Sequence, residues 1–68
     1  MANVPFKDKD YDLVSTIYHA SQGASICNQY ATDADKEGDS EAAQFFKEVQ
    51  EQNMRLVQKG KDLLKKRI

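Results

Sequence analysis

Lys36-Glu37-Gly38-Asp39-Ser40 divides the chain into two long stretches that each read as helix. Glycine takes the left-handed conformation that ends a helix at little steric cost. Asp39, or Ser40 beside it, can accept a hydrogen bond from the first free N–H groups of a following helix. Glu41 then places negative charge in that helix's first turn, where the macrodipole favours it. A helix stop followed at once by a helix start leaves room for a tight antiparallel hairpin. A single helix running through Gly38 would cost about 1 kcal/mol for the glycine and leave the cap unused.

Working outward, the first helix is predicted over about 11–37 and the second over about 40–66. Residues 10–68 form the hairpin and residues 1–9 a flexible N-terminal arm. In the first helix Leu13, Ile17, Ala20, Ala24, Cys27, Ala31 and Ala34 recur at alternating spacings of four and three, which draws one continuous helical stripe. Most of its members are small, so a second helix can approach closely. A weaker stripe holds His19, Gly23, Ile26 and Tyr30. Two stripes on one helix imply two packing partners, and the hairpin supplies only one. The second helix carries Ala42, Phe46, Val49, Asn53, Leu56, Gly60 and Leu63, widened by Ala43, Val57 and Leu64.

Folding at Gly38 sets opposite one another positions whose numbers sum to about 76 or 77. Ala31 then meets Phe46, Cys27 meets Val49, Ala24 meets Asn53, Ala20 meets Leu56, and Ile17 meets Gly60. Small faces large in several layers, as a close-packed core requires. On this reading Ala20, Ala24, Cys27, Phe46, Val49, Leu56 and Leu63 build the core. The fold class is all-α: an antiparallel two-helix hairpin, dimerising into a four-helix bundle with His19, Gly23, Ile26 and Tyr30 across the subunit contact.

The composition points the same way. A chain of 68 residues is one domain at most. Such a chain usually needs a disulfide, a metal or a partner to stay folded. Cys27 is the only cysteine and no cysteine–histidine zinc spacing can be drawn, so a partner chain is the leading source of stability. No apolar run approaches the roughly 20 residues of a membrane span, and residues 1–9 lack the apolar core of a signal peptide. With one free thiol, the expectation is a cytoplasmic protein.

Gln22-Gly23-Ala24, Tyr30, Ala34, Lys36-Glu37-Gly38, Ala42-Ala43 and Phe45-Phe46-Lys47-Glu48 resemble the first helical hairpin of the rubrerythrin-type, ferritin-like family, over about Tyr18 to Leu64. In that family the first helix gives one carboxylate to a di-iron centre and the second a Glu-x-x-His pair one turn apart. Aligned without gaps at Glu37-Gly38, Ala20 stands where the first glutamate belongs, and Asn53 and Leu56 where the glutamate and histidine belong. Alanine and leucine have no ligand atom, and asparagine carries no charge. The resemblance therefore implies the fold without its iron chemistry, and no cofactor.

Few residues offer chemistry. His19 is the one candidate for acid–base or metal work, yet no carboxylate stands three or four residues away from it; it reads as a histidine of the subunit contact. Two copies meeting across a dimer axis would make that contact pH-sensitive. Glu48 and Glu51, three apart, could share a metal or a proton, or form a solvated helix face. Cys27 reads as packing, since a reactive thiol needs an accessible, electropositive site. Asn53 either fixes register as a buried amide or faces water at the stripe's edge.

Charge is uneven along the chain. Residues 1–54 carry four lysines against ten carboxylates, and residues 55–68 six cations against Asp62. The basic residues are scattered around the helix without interleaved aromatics, which argues against nucleic-acid binding. Neither a Gly-rich phosphate loop nor a Ser/His/Asp set is present, and the small-molecule ligand is unknown from the sequence. Three functional readings follow. The first is a non-catalytic, self-associating hairpin that acts as an interaction or assembly module. The second is a metal-binding or redox protein with an unconventional site at His19, Glu48 or Glu51. The third is a weak electrostatic binder of nucleic acid or an anionic surface through the basic C-terminal turns.

Overall fold

The computed structural model describes residues 8–67, and the arm expected over residues 1–9 lies mostly outside them. Two helices, α1 (Asp8–Lys36) and α2 (Ser40–Lys65), pack side by side as an antiparallel hairpin. α1 begins at Asp8, ahead of the expected Tyr11, so Lys9 and Asp10 belong to its first turn.

The turn is built as its residues dictate. Gly38 has φ +73°. The Asp39 N–H donates to Ala34 O at 2.9 Å and the Gly38 N–H to Asp35 O at 3.0 Å. These are the paired bonds of a Schellman stop, which satisfy two carbonyls at the end of α1. One residue on, the Ala42 N–H donates to Asp39 Oδ1 at 3.0 Å and caps α2. Nothing lies within 4 Å of a Cβ placed on Gly38, so substitution there meets only backbone strain. Gly38→Ala is expected to lower stability by about 1 kcal/mol in urea unfolding, with no loss of helix content.

The hairpin register follows the sum of 76 to 77. Gly60 lies against Ile17, Gly23 against Asn53, and the Tyr30 and Phe46 rings meet edge to face at 5.5 Å. Ala24, Cys27, Ala31, Ala43 and Gly60 are buried along the seam. All are small, and no large side chain among the described residues is fully buried.

Leu56 and Leu63, expected in the core, are instead 58% and 39% exposed. The helices approach so closely along the small residues that no depth remains between them for a leucine. Val57 and Leu64, one position further on, take the half-buried places. One residue is 100° of helix rotation, so Leu56 and Leu63 turn onto the flank.

The molecule measures 49 × 22 × 11 Å, so it is a single layer about one helix thick. Domains are normally built from two packed layers around a core. Here both broad faces of one layer meet solvent.

Candidate functional site

The two faces differ. One carries a shallow mixed groove, more apolar than polar, lined by Ala24, Met54 and Val57 together with Ser21, Ser25, Asn28, Gln50, Gln58 and Lys61. Among the described residues one exposed ion pair, Asp35 to Lys47 at 3.8 Å, spans the helices, and such pairs contribute little.

The opposite face is apolar toward the open end of the hairpin and carries carboxylates beside its aromatic rings toward the turn. Near the open end, Leu13, Thr16, Ile17 and Ala20 of α1 face Leu56, Lys59, Gly60 and Leu63 of α2 across a groove whose lining is almost wholly apolar. Near the turn, Tyr30 and Phe46 line a second groove with Asp33, Glu37 and Asp39, and the Phe45 ring meets Phe46 at 5.7 Å. Both grooves open on the same side. Thr16 and Tyr30 are 14 residues apart on α1, close to four turns; Phe45 and Leu56 are 11 apart on α2, close to three.

Ile26, one turn before Tyr30, joins this face at 51% exposure, and Phe45 is 60% exposed. Of the eight large apolar or aromatic side chains exposed among the described residues, Ile26, Tyr30, Phe45, Leu56 and Leu63 lie here. Tyr11 and Tyr18 sit on the outer side of α1, and Met54 lies on the opposite face, in its mixed groove. Scattered exposed apolar groups need no explanation, but a contiguous patch does.

The sequence-predicted residues fall as follows. His19 is exposed beside the apolar face, its Nδ1 bonded to Ser15 O at 2.8 Å and its ring edge-on to Tyr18. Gly23 is half-buried in the seam: a Cβ there would come within 2.6 Å of Asn53 Nδ2, so its contact is with α2 of its own chain. Asn53 is half-buried against that glycine, between the two alternatives. Cys27 is buried. Glu48 and Glu51 are exposed, and Glu51 pairs with Arg55 at 3.9 Å. Among the described residues no three His, Cys, Asp or Glu side chains converge on a point where a metal ion could sit. No described helix is long and apolar enough to cross a membrane.

Leu56 and Leu63 are the members of the face that the sequence placed in the core instead. Their spacing of 7 was available, but a stripe drawn through Leu56 as core hid the second one beside it.

Chemically the face can exclude water against another apolar surface. The chain matches no family model, no curated protein and no solved structure.

Proposed function

We propose that this chain is a non-catalytic, self-associating helical hairpin, an interaction or assembly module whose second copy covers the apolar face and completes a four-helix bundle. The single observation that carries the reading is a one-layer molecule with five large exposed apolar side chains gathered on one broad face. Four-helix bundles bury such faces between antiparallel pairs. A chain this small, in which only alanines, a cysteine and a glycine are buried among the described residues, gains little from its own core.

Ile26 and Tyr30 of the α1 stripe supply half of the contact, with His19 at its margin; Phe45, Leu56 and Leu63 supply the rest. The bundle is of the ferritin-like kind that the turn sequence resembles, with Ala20, Asn53 and Leu56 standing where that family places metal ligands. We place the module in the cytoplasm, where a lone thiol stays reduced.

Light scattering on the eluting peak of a size-exclusion column tests this. The expected mass is twice the 7.7 kDa of one chain. A mass of one chain at all accessible concentrations would overturn the reading.

A further inference from the structure

We propose that the second copy lies end for end on the first, about a two-fold axis at the level of Gly23 and Asn53, so that Glu41 and Glu48 of each chain meet Lys66 and Lys59 of the other. This rests on the self-association proposed above and adds its orientation. The four residues are exposed and share one edge of α2 beside the apolar face. Glu41 and Glu48 are seven apart, Lys59 and Lys66 are seven apart, and eleven residues separate Glu48 from Lys59. Seven and eleven residues are close to whole numbers of turns, so all four lie on one line.

Two antiparallel copies of that line are self-complementary. Glu41 with Lys66 and Glu48 with Lys59 each sum to 107, so one register makes both pairs. Its midpoint falls beside Asn53, which packs on Gly23 near the middle of the hairpin. The same register brings Phe45 to within one residue of Leu63 of the twin, so the apolar and charged contacts agree. A two-fold axis repeats every contact, as a closed dimer requires.

With both turns at the same end, a two-fold axis would instead set α1 of the twin over α2, so this edge of α2 would not meet its own copy and neither glutamate–lysine pair could form. The corresponding edge of α1 carries Asp12 and Asp33 toward opposite ends and does not discriminate between the two orientations.

Spin labels on single cysteines test the orientation in the full chain. Cys27→Ala removes the native thiol from the alanine-lined seam, and Gln44→Cys or Asp62→Cys supplies one exposed label site. Antiparallel packing at this register puts identical labels about 28 Å apart along the axis at Gln44→Cys and about 25 Å at Asp62→Cys, 19 and 17 residues at 1.5 Å each. A one-to-one mixture of the two labelled proteins then adds a much shorter distance. A mixture that adds no distance shorter than those between identical labels would overturn the orientation and leave self-association standing. Absence of any distance between chains, with the mass of one chain, would overturn both.

Charge exchange reads the same point in the native thiol background. Glu41→Lys with Glu48→Lys is expected to weaken the dimer at least about tenfold, and adding Lys59→Glu and Lys66→Glu to restore it. A fourfold variant no tighter than the double one would contradict the pairing.

Discussion

Leu56→Glu is expected to return the protein to single chains, whereas Met54→Glu is not. The two side chains are matched in the hairpin, at 58% and 59% exposure, so neither substitution removes much packing within one chain. They differ in the face they occupy: Leu56 lines the apolar groove of the proposed contact and Met54 the mixed groove on the opposite face. Burying a leucine is worth about 1.5–3 kcal/mol. A two-fold contact loses it twice, so roughly 4 kcal/mol disappears, or about a thousandfold in Kd. A carboxylate forced under the second copy adds a desolvation penalty in the same direction. Sedimentation equilibrium on both variants checks this, and equal association by the two would contradict the assignment of the face.

Gly60→Leu is expected to destabilise the hairpin itself by about 3 kcal/mol. A Cβ at Gly60 would lie 2.7 Å from Ile17 Cγ1 and 3.2 Å from its Cδ1. Cγ1 belongs to the stem of a β-branched side chain that is stiff at χ1, so it has no easy retreat. The helices must separate, and the small-residue seam loses contact along its length. Gly23→Ala is the control. There the obstructing atom is Asn53 Nδ2, the far end of a side chain that can swing aside. Alanine also gains about 1 kcal/mol of helix propensity over glycine. Urea midpoints at one fixed protein concentration should therefore fall for Gly60→Leu and hold or rise for Gly23→Ala. A Gly60→Leu protein as stable as the parent would mean that Ile17 does not pack where the register puts it.

The turn and register were legible in the sequence because each rests on local chemistry or on counting. Gly38 and Asp39 have few other uses in that order, and a tight turn fixes which residues of two rods stand level. Gly60 against Ile17 follows from that count. What the count does not reveal is depth. A stripe of alanines signals close approach, but the closeness itself expels the leucines that the same stripe seemed to bury. Leu56 and Leu63 thus moved from core to flank through one position of helix rotation, and Gly23 is held against Asn53 of its own chain. The apolar face was legible only in part for the same reason: Ile26 and Tyr30 stand out on α1, whereas Leu56 and Leu63 emerge once Val57 and Leu64 are known to take the inner places. His19, Glu48 and Glu51 were singled out by residue type, and residue type says nothing of convergence.

The claim beneath these expectations is that one layer of helices with an alanine seam is completed by its twin, so that folding and association are a single equilibrium. Thermal unfolding followed by circular dichroism across a hundredfold range of protein concentration tests it most directly. Because a partner that binds only the folded form stabilises it by mass action, the midpoint should climb steadily with concentration. A midpoint that stays fixed over that range would show that the hairpin holds itself together alone, and would contradict the account.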